Sequence, residues 1–406
     1  MMNELLPVSE ATRIVQEQTR RLPVEAIPLT AARGRVLAED VIADTDLPPF
    51  DRALMDGYVV RAADTAGAPV RLRIVGEAAA GRGWRETLQK GEAVRIMTGA
   101  PVPAGADGVQ QVEVTREFDG GKMVEIDKPV AVGQFISERA TEVRRGETVL
   151  CAGETINAAM LAALASFGYA RVRVGSRPRV AVLATGTELV PVSDQPGADQ
   201  IRDSNSYSLL GYAEAAGARV ELLPFAGDNS ELLQQLISES AARCDALVLS
   251  GGVSMGAYDF TKTALGALGA EIFFERVSLR PGKPTVFARL GDTLIFGLPG
   301  NPVSVSVTFN LFARTALRRM QGDSRDALIE EHAVLSRAAK GAAGRASYLP
   351  ARLLTDEDGR LVAEVLRWGG SSDFVAFTQA TALVIVPAGV GLLDAGAVVR
   401  IVRLPE

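Results

Sequence analysis

A glycine- and serine-rich stretch that follows a short apolar run is the part of this sequence best suited to hold a phosphate. The run from Ala246 to Leu249 is typical of a strand buried on both faces. Glycines directly after it let the backbone turn sharply and approach a ligand closely. Free N–H groups at the start of the next helix, together with the helix dipole, favour a bound anion. The groups that would form this cradle are Ser250, Gly251, Gly252 and Ser254.

Asp259 stands at the end of the same loop, where a helix N-cap is expected. A carboxylate beside a phosphate repels it unless a cation bridges the two, and Mg²⁺ takes oxygen ligands of this kind. The loop therefore has two interpretations: a phosphate and Mg²⁺ site, or an ordinary strand-to-helix turn with an Asp cap. It does not spell a standard P-loop, so the stretch by itself leaves both open.

The residue counts exclude several other chemistries. The 406 residues include one histidine, His332, and two cysteines, Cys151 and Cys244, which are too far apart for a CxxC motif. A serine–histidine triad or a histidine zinc site would have to use His332, and a lone histidine is usually structural. Any metal here is therefore expected to be held by oxygen ligands, or by sulfur that a substrate brings.

Charge and hydropathy limit the partners. A net charge of −6 at pH 7 argues against a general nucleic-acid binder. No apolar run approaches the roughly 18 residues of a membrane span, and the first residues lack a basic segment followed by an apolar one. We therefore expect a cytoplasmic protein with no nucleic-acid and no membrane partner.

The elements that must position these groups alternate between strand and helix from Pro178 onward, which indicates a doubly wound parallel sheet. Such a sheet binds ligands at the carboxyl ends of its strands. Four polar side chains follow predicted strands and are expected to converge on that edge: Glu188, Asp228, Asp259 and Asn301. This convergence is stronger support for a site than any one of these residues alone.

Strand signals on both sides of this region predict two smaller β domains. Val70, Leu72 and Ile74 alternate with arginines, and short alternating runs recur in the last eighty or so residues. The predicted fold class is multidomain α/β. A helical and extended unit at 1–49 and 140–175 carries an inserted β domain at 50–139. The doubly wound domain follows at 176–322, and a small C-terminal β domain occupies 326–406.

Seven sequence blocks, in this order, resemble those of one known family. They read PPFDRALMDGY, RIMTGAP, ATGTEL, DSNS, SGGVSMG, RPGKP and GLPGNPVS, and they cover nearly the whole chain. The chain is similar to the molybdopterin molybdenumtransferases, the family of MoeA and the gephyrin E domain. The resemblance implies that adenylylated molybdopterin and molybdate bind, that the phosphoanhydride to AMP is cleaved with the help of Mg²⁺, and that molybdenum is delivered to the pterin dithiolene.

The resemblance also implies an assembly and a set of site residues. Family members are homodimers with the active site between subunits, and molybdopterin adenylyltransferase is a candidate partner. The residues implied in catalysis are Asp56, Thr98, Glu188, Asp228, Asp259 and Lys283, with Asp228 and Asp259 as the metal ligands. The residues implied in binding the substrates are Ser250, Gly251, Gly252, Ser254, Arg280, Pro284, Pro299, Asn301, Pro302 and Ser371. For Thr98 and Asp228, a purely structural role as turn or cap residues is equally open.

Three positions depart from the family pattern. Arg280 stands where the family commonly has lysine or glutamine. An arginine keeps the positive charge of lysine but presents it on a planar, forked guanidinium group. The arginine expected in the C-terminal domain aligns with Pro350, and Arg352 is a candidate replacement because two residues along a strand point to the same face. Glu142 stands where an aspartate is expected, and we predict no catalytic role for it.

Two other functions compete with this interpretation. A molybdopterin adenylyltransferase would resemble the 178–320 region, but a single-domain enzyme of that kind lacks the N-terminal half with Met55, Asp56 and Gly57. A non-enzymatic, gephyrin-like scaffold need not retain Asp56, Glu188, Asp228, Asp259 and Lys283 together. The presence of all of them favours the transferase.

Overall fold

The chain forms two compact units in a computed structural model that describes residues 5–227, 229–252 and 260–405. One unit comprises Asp40–Cys151 and Ala159–Ala170, and the other comprises Met1–Glu39, Ala152–Ala158 and Arg171–Glu406. The predicted four-part division of the chain is finer than this and stays a prediction.

The unit built on Asp40–Cys151 contains a six-stranded, mainly antiparallel sheet. The predicted alternation is seen in strand Val70–Ala78, where Leu72 is buried and Arg71 reaches Glu125 across the sheet at 2.9 Å. In sheet order the strands are Gly108–Gln111, Gly57–Val60, Glu92–Ile96, Val70–Ala78, Met123–Ile126 and Thr115–Phe118. The same unit contains two short antiparallel strand pairs outside this sheet, Arg52–Ala53 with Ile136–Ser137 and Val41–Ile42 with Thr148–Leu150. Most of helix Ala158–Ser166 belongs to this unit too.

A second six-stranded sheet forms the centre of the other unit. In sheet order its strands are Arg219–Leu222, Arg179–Ala184, Ala246–Ser250, Thr293–Leu298, Pro284–Leu290 and Glu271–Arg276. Neighbours among the first four run parallel, as predicted. Pro284–Leu290 runs antiparallel to both of its neighbours, Thr293–Leu298 and Glu271–Arg276. Its pairing with Thr293–Leu298 follows from the two-residue connection after Leu290, because so short a link can only form a hairpin.

Both faces of this sheet are packed against apolar side chains. Successive residues of a strand point to opposite faces, so one strand contributes to both clusters. Val180 and Val182 pack in one apolar cluster, and Ala181 and Leu183 pack in another. The helices of this part of the chain are Val8–Gln18, Asn205–Ala215, Ser230–Ala241, Phe260–Ala267, Pro302–Thr308 and Arg314–Met320. Short strand pairs join Val24–Pro28 to Arg171–Gly175 and Leu189–Val190 to Ile201–Arg202.

The C-terminal strands close into a five-stranded barrel. In barrel order they are Ala346–Thr355, Leu361–Val365, Glu330–Leu335, Val398–Arg403 and Ala382–Val386, and the last pairs again with the first. The interior is filled by small residues such as Ala333, Ala351 and Ala363, which suits a narrow barrel. Strand Leu279–Arg280 pairs in parallel with the first residues of barrel strand Ala346–Thr355. Beside the barrel, Ala339–Lys340 pairs with Leu392–Leu393, and a short helix spans Phe374–Phe377.

Within the part of the chain that the structure describes, the helices are all too short or too polar to cross a membrane.

Candidate active site

The glycine-rich loop lies where the sheet's parallel strands end, as the pattern predicts. Ser250 is 2% exposed, and its carbonyl accepts hydrogen bonds from Thr185 through the backbone N–H (2.9 Å) and the hydroxyl (3.2 Å). Gly251 has φ +87° and Gly252 has φ +65°. A Cβ on Gly251 would lie 2.5 Å from the carbonyl oxygen of Thr185, so no larger residue fits without movement.

This loop borders a cleft of about 950 Å³, here called the cradle cleft. Glu188 enters it from the segment after strand Arg179–Ala184, and Asn205 enters it from the start of a helix. Its other described lining residues include Ser250, Gly251, Gly252, Asp203, Pro284, Pro299, Gly300, Asn301, Pro302 and Phe374. Asp203 is buried and its carboxylate accepts the Ser206 N–H at 3.0 Å, which leaves Glu188 as the exposed carboxylate of the described lining.

A second cavity of about 900 Å³, the cationic cavity, lies between the sheet's strand ends and the barrel. Its described lining carries six basic side chains and no Asp or Glu: Arg280, Lys283, Arg337, Lys340, Arg345 and Arg367. Arg345 donates to the Leu279 carbonyl at 3.4 Å and Arg337 donates to the Val365 carbonyl. No carboxylate of the described ranges lies within 4.0 Å of any of the six, so their charge is available to an anion.

The two cavities share a wall. Pro284, Pro299 and Asn301 line both. The Asn301 amide donates to the Ser371 hydroxyl at 2.7 Å, and the Val303 N–H donates to the Ser371 carbonyl at 3.0 Å. These bonds fix the loop that carries Ser371 against the segment before helix Pro302–Thr308, in which Pro302 occupies the first helical position.

Comparison with known proteins identifies this arrangement. Residues 6–168 match the MoeA N-terminal region (domain I and II), 181–319 a probable molybdopterin binding domain, and 332–404 the MoeA C-terminal region (domain IV). A molybdopterin molybdenumtransferase of Bacillus subtilis (strain 168) is 34% identical over 407 residues, which is 99% of this chain and 94% of that protein. The chain belongs to the molybdopterin molybdenumtransferase family.

Other relatives agree. Molybdopterin molybdenumtransferase 2 of Mycobacterium tuberculosis (strain ATCC 25618 / H37Rv) is 41% identical over 327 residues, 78% of this chain and 80% of that protein. The crystal structure of a molybdopterin biosynthesis MoeA protein from Pyrococcus horikoshii OT3 has a TM-score of 0.84 and 29% identity, and covers 99% of this chain and 100% of that chain. The predicted family, fold class and enzyme class are confirmed. A single-domain adenylyltransferase does not account for the match at residues 6–168.

The structure brings most of the predicted site residues of this family member together. Around the shared wall lie Glu188, Ser250, Gly251, Gly252, Arg280, Lys283, Pro284, Pro299, Asn301, Pro302 and Ser371. Asp228, Ser254 and Asp259 lie outside the described residues. In the described ranges no three His, Cys, Asp or Glu side chains come together in a way that could hold a metal ion. The predicted roles of all these residues stay predictions.

Asp56 and Thr98 belong to the other unit and form a pair there. One carboxylate oxygen of Asp56 accepts both the Thr98 N–H, at 2.6 Å, and the Thr98 hydroxyl, at 2.8 Å. The two hydrogen bonds hold the pKa of Asp56 below its ordinary value. Both residues are exposed, so a charged carboxylate is presented at the surface of this unit.

Four basic residues of the cationic cavity were missed at the sequence level: Arg337, Lys340, Arg345 and Arg367. A signal existed, because residues 335–350 carry three of them among small residues and contain no acid. The candidate replacement Arg352 does not line the cationic cavity. It forms an ion pair with Glu364 at 2.8 Å in an adjoining recess of about 350 Å³. Glu142 forms an ion pair with Arg52 at 2.8 Å, and the expectation that it has no catalytic role stays a prediction.

Proposed function

We propose that this protein inserts molybdenum from molybdate into adenylylated molybdopterin, with Mg²⁺-dependent release of AMP. The observation that carries the proposal is the pair of adjoining cavities, because one suits a small oxyanion and the other suits a phosphorylated ligand. Their shared wall would place the two substrates next to each other. Such positioning lowers the entropic part of the barrier to reaction.

The cationic cavity supplies what molybdate needs. Molybdate is a dianion with four oxygen acceptors, and guanidinium and ammonium groups bind such oxyanions by charge-assisted hydrogen bonds. Arg280 and Lys283 line the cavity in the same short segment as Pro284, which also lines the cradle cleft. We assign them to molybdate, with Ser371 as a neutral donor beside Asn301.

The cradle cleft supplies what the phosphoanhydride needs. The glycines at its floor leave room for close backbone approach, and hydroxyl and amide groups surround them. A Mg²⁺ ion fits this donor set, because Mg²⁺ usually binds one or two carboxylates together with substrate phosphates and keeps several waters. Glu188 would be one carboxylate, and Asp228 and Asp259 are the predicted others. When bound, the ion would neutralise charge on the phosphates.

The remaining parts of the proposal rest on the family resemblance. We propose that the protein acts in the cytoplasm as a homodimer, in which Asp56 and Thr98 of one subunit serve the nucleotide site of the other. Molybdopterin adenylyltransferase is the proposed supplier of the substrate. The charged Asp56 carboxylate supports a polar role of this kind.

The test is AMP release by the purified protein from adenylylated molybdopterin, with Mg²⁺, in the presence and absence of micromolar molybdate. Molybdate-dependent release, with a product that activates an apo-molybdoenzyme, is the expected result. ATP-dependent adenylylation of molybdopterin would instead make the protein the preceding enzyme. If the protein shows neither activity, that result would favour a non-enzymatic scaffold. Asp259→Asn serves as the matched variant, since it should abolish activity and leave dimerisation intact.

A further inference from the structure

An exposed aromatic ring stands at the rim of the cradle cleft. Phe374 lines the cleft and is 48% exposed, although it sits in the short helix Phe374–Phe377, whose last residue is buried in the core. The Asp373 carboxylate holds this turn by accepting the Gly369 N–H at 2.8 Å and the Ala376 N–H at 3.2 Å. The ring is thus attached to a backbone that is fixed by hydrogen bonds, and about half of its residue's surface is accessible to a ligand.

A buried hydrogen-bond acceptor lines the same cleft. The Asn205 side-chain nitrogen donates to the Gly300 carbonyl at 2.8 Å. This bond orients the amide, so its oxygen is the group that can accept a further hydrogen bond. That oxygen is buried, and no described residue donates a hydrogen bond to it. A buried acceptor without a donor is destabilising, so it calls for an explanation, and a donor group on a ligand in the cleft is one.

We propose that these two side chains recognise a planar nitrogen heterocycle that bears an exocyclic amine. Phe374 stacks on the face of the ring, and the Asn205 oxygen accepts a hydrogen bond from the amine. The proposal rests on the proposed function for the source of the ring. Adenylylated molybdopterin contains two rings of this chemistry, the aminopterin and the adenine. Either could bind between Phe374 and Asn205, a position here called the ring seat.

The experiment measures binding of two matched pairs of probes to the full-length chain by titration calorimetry. Pterin and pteridin-4-one differ only in the exocyclic amine, as do AMP and purine riboside 5′-monophosphate. The wild-type protein should bind the amine-bearing member of one pair about fivefold more tightly, the effect of one hydrogen bond to a buried acceptor. The pair that shows this preference identifies the ring that occupies the seat.

Two variants separate the two contacts. Asn205→Ala should bring the ratio of the two affinities close to one. Phe374→Ala should weaken both members of the pair about tenfold, the effect of losing a stacked ring, and leave the ratio unchanged. Phe374→Trp should restore binding, because it keeps an aromatic face. Val375→Ala is the matched control, because Val375 follows in the same helix, is 66% exposed and is not part of the described lining.

The proposal is overturned if Asn205→Ala keeps the wild-type ratio, if Phe374→Ala binds like the Val375→Ala control, or if none of the four probes binds at millimolar concentration. Molybdate-dependent AMP release, measured on the same samples, separates this result from the proposed function. AMP release without any preference for the amine refutes the ring seat alone. A preference for the amine without AMP release refutes the proposed function and leaves the ring seat in place.

Discussion

Replacing Gly251 by alanine tests the geometry of the strand-end loop directly. Its φ of +87° lies in the left-handed region, which L side chains rarely adopt. The added Cβ would also lie 2.5 Å from the Thr185 carbonyl oxygen and 2.9 Å from the Thr185 hydroxyl. Because the nearest atom is backbone rather than the end of a flexible side chain, either Thr185 or the loop must move.

The two effects can be estimated separately. Left-handed backbone costs a non-glycine residue about 1–2 kcal/mol, and forcing extra atoms into a well-packed site costs about 1–3 kcal/mol more. The expected loss in the free energy of unfolding is therefore about 2–5 kcal/mol. Since 1 kcal/mol shifts Tm by about 2–4 °C in a protein of about 150–250 residues and by less in a larger one, Tm should fall by about 4–10 °C.

Gly269→Ala is the matched control. Its φ is +72°, but no atom lies within 4 Å of the position of its Cβ, so it should show the backbone effect without the clash. Thermal unfolding followed by circular dichroism compares the two variants, and AMP binding should be weakened only by Gly251→Ala. Equal Tm losses in the two variants would refute the close approach of the loop to Thr185.

Three further substitutions and one measurement of thiol reactivity have expected outcomes. Lys283→Gln should raise the molybdate concentration for half-maximal AMP release about tenfold, because a cation leaves the anion pocket. Asp323→Asn should lower stability by about 3–5 kcal/mol, because Arg318, 7% exposed, would stay buried without its counter-charge. The contribution of Asp56, whose pKa is below its ordinary 3.8, is present above pH 3.8 and lost as the pH falls through the lowered pKa, so Asp56→Asn should flatten the acid side of the stability profile. The thiol of Cys244, whose pKa burial raises to about 11, should not react with Ellman's reagent in the folded protein.

Three of these have a control within the chain, and the Asp56 variant has a refuting outcome of its own. Arg360→Gln removes an exposed charge paired with Asp358 and should leave the molybdate dependence unchanged. Asp292→Asn breaks an exposed ion pair and should cost less than about 1 kcal/mol, so equal losses at Asp292 and Asp323 would contradict the burial argument. An unchanged acid profile in Asp56→Asn would show that its hydrogen bonds do not matter for folding. Cys151, which is exposed, should react at once, and rapid reaction of two thiols would disprove the burial of Cys244.

The site was predictable where it follows from a rule about sheets. Glu188 and Asn301 are more than a hundred residues apart, yet both follow parallel strands, and parallel strands end at one edge. The positive φ of Gly251 and Gly252 was predictable for another reason, because two glycines directly after a buried strand indicate a sharp backbone turn.

The cationic cavity could not be predicted in the same way. Its basic side chains come from the 280–284 segment, the 337–345 segment and Arg367, and only the closure of the barrel brings these together. No periodicity links such distant segments, and each arginine considered alone looks like a solvated surface residue. The antiparallel strand pair at the sheet edge was missed because the prediction extended the β/α rhythm across a hairpin.

Strand Leu279–Arg280 has a mechanical consequence. It belongs in sequence to the segment that leads into the sheet, but it pairs in parallel with barrel strand Ala346–Thr355, and the Ala346 N–H bonds the Ser278 carbonyl at 3.2 Å. The barrel is therefore joined to the sheet by this strand as well as by the connection at residues 321–329, by the Asn301–Ser371 hydrogen bond and by apolar packing. Its side chains Tyr348, Phe377 and Leu383 belong to the apolar cluster that covers one face of the sheet, so the barrel cannot swivel freely about its connection. Arg280 pairs with the barrel and Pro284 begins a strand of the sheet, so the cationic cavity should keep its width as long as both pairings persist.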